Sequence, residues 1–86
     1  MSTPLYIPQS ILKRKDLTPH EKIIFSLVNE DSMIKNVTIA YECGFGATTV
    51  AKALQNLEAK GLITRTTRPS LPGEGKGLVR KIKTHL

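Results

Sequence analysis

Tryptophan is absent from the 86 residues, and only two phenylalanines, two tyrosines and one cysteine are present. With so few aromatics and 40% hydrophobic residues overall, a core must come mainly from Ile, Leu, Val and Ala, which suits helices packed with a small sheet. A single thiol, Cys43, excludes an internal disulfide and a cysteine-rich zinc site, and fits a reducing compartment. No apolar run approaches the ~18 residues of a membrane span. The opening stretch MSTPLYIPQS lacks the basic region and apolar core of a signal peptide, so a cytoplasmic location and no membrane contact are expected. Chemistry-bearing clusters are missing too. His20, His85 and Cys43 are scattered, with no paired-carboxylate or metal-ligand spacing, and the glycine-rich stretch Gly73 to Gly77 precedes a strand-like run instead of opening a helix as a phosphate loop does. An enzyme, a cofactor and a metal are therefore not expected. The length allows one domain over residues 1–86 and no second domain to carry a small-molecule effector site.

Positive charge, by contrast, is plentiful and unevenly placed. Residues 1–60 carry seven Lys/Arg against six Asp/Glu, whereas residues 61–86 carry six against Glu74 alone, so most of the net +6 belongs to the C-terminal third. A concentrated field of that sign ordinarily faces phosphate or an acidic partner.

Leu5-Tyr6-Ile7, between Pro4 and Pro8, reads as a short extended segment suited to the edge of a sheet. Gln9 to Lys15 reads as a helical turn or two with Ile11 and Leu12 inward, followed by a solvated cluster, Lys13-Arg14-Lys15. Thr18-Pro19-His20-Glu21 then supplies a capping residue, a proline at the first helical position and a glutamate three residues after the cap. The support helix it starts spans 18–31, with Ile23, Ile24, Leu27 and Val28 as an inward stripe, Phe25 at its edge and His20 exposed.

The stretch 36–60 carries two further helices separated by a tight turn. Asn36 is the expected cap of the first, with Ile39, Ala40 and Cys43 on one face, and Gly44 fills the left-handed position where that helix ends. Phe45 plugs the angle. Gly46 opens the second, in which Val50, Ala53, Leu54 and Leu57 point inward while Thr48, Lys52, Gln55 and Ala59 point outward, flanked by Thr49 and Asn56. That outward face is short-chained and nearly neutral, the profile of a helix able to approach base edges: Gln and Asn can pair with adenine, and Thr can meet a thymine methyl or a phosphate. Lys60-Gly61 ends the helix. Residues 62–68 and 78–83 are strand-like and bracket an irregular tip, which predicts a basic hairpin over 62–83 bearing Arg65, Arg68, Lys76, Arg80, Lys81 and Lys83. Arg80 shares a face with Leu78 and Ile82, so the alternation leaves open which cations point outward.

The run Ile39-Ala40-x-x-x-Gly44-x-x-x-Thr48-Thr49-Val50-x-Lys52-Ala53-Leu54-x-x-Leu57-x-x-x-Gly61-Leu62-Ile63 resembles the DNA-binding half of GntR-type bacterial regulators. It is also similar to helix-turn-helix domains of plasmid and phage replication or conjugative transfer proteins. The resemblance implies a mainly α fold with a small antiparallel β-hairpin, a winged helix-turn-helix. It further implies double-stranded DNA as partner and carries over to Thr48, Thr49 and Lys52. On the reading of the helix face and hairpin charge, these with Gln55 and Asn56 are expected to face the major groove, and Arg65, Arg68, Lys76, Arg80 and Lys81 in the wing to meet phosphates or the minor groove. GntR helices usually place arginine just before the paired threonines and just after the valine, where this chain has Ala47 and Ala51. The wing is accordingly expected to contribute more affinity than the recognition helix. Transcription regulation, replication and transfer are the processes implied, and a homodimer or pairing on repeated half-sites is expected because one copy reads few bases. The alternative from another class is a protein-interaction module docking through the alanine-rich helix face and the basic hairpin.

Overall fold

The computed structural model describes residues 6–73 and 77–85. Its elements run α1 (Gln9–Leu12), α2 (Pro19–Glu30), α3 (Asn36–Cys43), α4 (Ala47–Ala59), β1 (Ile63–Pro69) and β2 (Leu78–Thr84), a mainly helical architecture with one antiparallel hairpin. No described helix is long and apolar enough to cross a membrane.

Helix α2 starts where the sequence predicts. The Thr18 side chain accepts from the Glu21 N–H at 3.2 Å and the Glu21 carboxylate accepts from the Thr18 N–H at 3.0 Å, a complete capping box with Pro19 at the first position. Its buried stripe differs in phase from the expectation. Ile24, Phe25 and Val28 lie in the core and Ile23 and Leu27 are half-buried, so Phe25, the largest side chain available, sits at the centre and not at the edge. Buried Ser26 is satisfied by donating to the Lys22 carbonyl at 2.9 Å. In α1, Ile11 is buried but Leu12 is 51% exposed, because a single turn presents only one side to the core.

Helix α3 ends at Gly44, whose φ of 71° is left-handed, and the Gly44 and Phe45 N–H groups both return to the Ala40 carbonyl. A Cβ added at Gly44 would meet nothing within 4 Å, so the only penalty of a side chain there is conformational. Gly44→Ala is expected to cost about 1–2 kcal/mol, read as a shift of the chemical denaturation midpoint at unchanged slope; an unaffected midpoint would show that the turn tolerates a different backbone. Asn36 is not the cap: Lys35 flanks the helix with no side-chain bond, and Asn36, in the first turn, is used elsewhere as described below. At the far end of α4, the Leu62 N–H bonds the Leu57 carbonyl and the Gly61 N–H bonds the Glu58 carbonyl, a Schellman ending with Leu57 and Leu62 both buried. Val50, Ala53, Leu54 and Leu57 form the buried face of α4 as expected.

Hairpin register pairs Ile63 with Thr84, Arg65 with Ile82, Thr67 with Arg80 and Pro69 with Leu78 on one face, and Thr64 with Lys83, Thr66 with Lys81 and Arg68 with Val79 on the other. Ile63 and Ile82 are buried, so the first set faces the helices. The Ile82 N–H turns away from β1 to the Ser32 carbonyl at 2.7 Å. In an antiparallel ladder, alternate residues aim their backbone groups the same way, so Leu78 and Arg80 also present N–H and C=O along the outer edge of β2. Pro69, which has no N–H, falls at the matching outward position of β1. Tyr6 and Ile7 join no strand and Leu5 lies outside the described residues; the α2–α3 connection meets the outer edge of β2 at Ser32.

Candidate nucleic-acid interface

The exposed side of α4 is arranged as the sequence implies. Gly46 precedes the first turn, and Thr48, Thr49, Lys52 and Gln55 are all exposed. Among the described residues, no hydrogen bond or ion pair engages these four side chains. From Ala47 to Leu57 the helix has no carboxylate, so along that stretch no side chain repels an approaching phosphate. Ala47 and Ala51 are exposed as well and leave the backbone accessible to close approach.

Asn56 does not belong with them. Its amide Nδ2 donates to the Glu21 Oε2 at 3.0 Å, while the other Glu21 oxygen holds the α2 cap. Lys60 closes the same corner, 3.9 Å from Glu21 and donating to the Asp16 carbonyl. Buried Glu21 thus fastens the start of α2 to the end of α4, and Asn56, though exposed, has its amide engaged in that joint. His20, exposed as expected, lies edge-on to Phe45 with ring centroids 4.6 Å apart, bracing the turn before α4.

The hairpin cations separate into two groups. Arg65 and Arg80 lie on the face turned toward the helices. Arg65 bonds Glu58 at the end of α4 through Nη2 at 2.6 Å, and that bond, with the positive charge behind it, holds the Glu58 carboxyl below its usual range. Arg80 reaches across to the start of α3, donating to the Ile34 carbonyl and to the Asn36 Oδ1, each at 2.5 Å. Burial lowers its guanidinium from the ordinary value, with Arg65 adding to the effect. Both were expected to meet DNA; both are instead held by the fold, because the inward face of the hairpin brings acceptors to them. Lys81, exposed on the outer face, remains a candidate, while Arg68 on the same face donates to the Pro69 carbonyl at 3.1 Å. Lys76 lies outside the described residues. Lys83, exposed beside Lys81 on that outer face with Thr64 and Thr66 opposite, is the addition that register supplies.

Cys43 is half-buried, and burial raises its thiol, with Glu42 adding to the rise, as a packing residue does. No group of three or more His, Cys, Asp or Glu gathers to hold a metal among the described residues. Comparison with known protein families, with curated proteins and with solved structures finds no match to the chain.

Proposed function

We propose that the chain is a winged helix-turn-helix protein that binds double-stranded DNA, with α4 as the recognition helix and the hairpin as the wing. The observation that carries this reading is the exposed face of α4: Thr48, Thr49, Lys52 and Gln55 have no intramolecular partner among the described residues, and there is no acid from Ala47 to Leu57. Ordinary solvated helix faces are laced with ion pairs of both signs. The left-handed turn at Gly44 sets α4 against α3 so that this face is outermost. In the wing, Lys81 and Lys83 share a face without carboxylates among the described residues, so phosphate neutralisation falls to these two lysines. A monomer reading a few bases acts as a pair on repeated half-sites about one helical turn apart. The resemblance implies a role in transcriptional control, or in replication or transfer of a plasmid or phage.

Fluorescence anisotropy with a random-sequence duplex tests the reading. Binding should be measurable at 50 mM salt and log K should fall against log salt with a slope near −4, for ~4–5 phosphates neutralised. Absence of binding at low salt would remove DNA as the partner. That result would favour the second reading, a protein-docking module, for which the specific observation is the exposure of Val37 and of Tyr41, the latter 89% exposed, one turn apart on α3.

A further inference from the structure

Beside the outer edge of β2 lies a cleft of about 620 Å³, lined by Met33, Lys35, Asn36, Ser70, Leu78, Val79 and Arg80. Three features of this cleft belong together. First, one wall is a strand edge whose backbone is unsatisfied: register and the Ile82 to Ser32 bond turn the N–H and C=O of Leu78 and Arg80 into it, and neither residue has a backbone partner there among the described residues. Natural sheets usually cover, bulge or charge such an edge. Second, Leu78 at 72% exposure and Met33 at 49% offer apolar surface at that edge, where a large exposed hydrophobe gains from being covered. Third, among the described residues the charged members of the lining are Lys35 and Arg80, with Lys81 next on the strand, and none is a carboxylate.

We infer that this cleft accepts an extended acidic segment of a partner protein, which adds a short strand to the outer edge of β2. Alternating donors and acceptors on the edge match a peptide backbone, whereas a phosphate backbone offers acceptors only and meets the Leu78 and Arg80 carbonyls unfavourably. Charge selects among peptides. An antiparallel copy of β2 would set its own Arg80 and Lys81 against the same residues, a like-charge pairing that destabilises cross-strand neighbours, so a second copy is disfavoured. Strand geometry then fixes the recognised pattern: apolar side chains on the face of Leu78 and Met33, and carboxylates at the alternate positions beside Lys81, with one more at the end nearest Lys35. This surface is distinct from the exposed face of α4 and shares only Lys81 with the proposed phosphate-facing side of the wing, so the inference is tested on the chain without DNA.

The probe is a blocked hexapeptide of alternating glutamate and valine, titrated into the isotope-labelled full chain without DNA. Backbone amide shifts should concentrate on Leu78 and Arg80, and hydrogen exchange at those two amides should slow at least tenfold at saturation. An alternating lysine and valine peptide should bind at least tenfold more weakly, and the Lys35→Glu/Lys81→Glu variant should reverse that order. N-methylating the glutamate–valine peptide at its central positions should abolish the protection in the unmodified chain, an arm that does not depend on the variant folding. Equal binding of the two peptides, shifts confined to α4, protection produced by raising the protein concentration alone, or protection produced by duplex DNA and not by peptide would each overturn the inference.

Discussion

The Lys81→Ala/Lys83→Ala variant is expected to bind duplex DNA about thirtyfold more weakly at 0.15 M salt, with the salt slope reduced by about 2. Two fewer neutralised phosphates remove about 1.8 from the slope, and that difference acts over the ~0.8 decade separating 1 M from 0.15 M. The two lysines are exposed on the outer face of the hairpin and hold no structural bond among the described residues, so thermal stability should be nearly unchanged. Thr48→Ala/Thr49→Ala should behave differently. Neutral groups release no counterions, so the slope should stay while discrimination between a selected site and a random duplex falls. If instead the lysine variant keeps both affinity and slope, the wing does not hold DNA and binding belongs to α4 alone.

Arg80→Ala should show the opposite pattern, a large loss of stability with little loss of DNA affinity in whatever remains folded. The Arg80 guanidinium donates to the Ile34 carbonyl and the Asn36 amide oxygen, tying β2 to the start of α3 across 44 residues of chain. Removing it leaves both acceptors without their donor and is expected to cost about 2–4 kcal/mol, roughly 10–25 °C in melting temperature for a domain of this size. Arg80→Lys should recover less than half of that, since one ammonium cannot span two acceptors as a planar fork does. The measurement is a melting curve paired with anisotropy at 10 °C. A variant that melts normally but loses about 1 from the salt slope would return Arg80 to the DNA-facing set.

Arg80 also marks the boundary between what local sequence can and cannot reveal. Strand alternation puts it with Leu78 and Ile82, and a buried Ile82 makes that the inward face, yet an arginine on an inward face contradicts its own chemistry until an acceptor is found. The acceptors come from residues 34 and 36, and nothing in the local pattern points to them. Asn56 is a similar case. On a helical wheel it flanks the outward face of α4, and only the proximity of α2 directs its amide to Glu21. Exposure alone did not identify either residue's role, because a polar side chain at a boundary goes to whichever partner tertiary packing brings within ~3 Å.

What the sequence determined by itself is the set of features governed by neighbours within a turn or two of chain. Thr18, Pro19 and Glu21 start α2; Gly44 ends α3; Val50, Ala53, Leu54 and Leu57 bury one side of α4; and β-formers at residues 62–68 and 78–83 bracket the hairpin. Each depends on dihedral preference, capping or periodicity, which operate over separations of up to about four residues. The tertiary structure alone decided which cations are structural and which remain for a partner. Arg65, Arg80 and Asn56 are taken by Glu58, by Asn36 with Ile34, and by Glu21, while Thr48, Thr49, Lys52, Gln55, Lys81 and Lys83 stay exposed. The physical reason is distance along the chain: a donor finds its acceptor 7, 35 or 44 residues away only after helices and hairpin have packed.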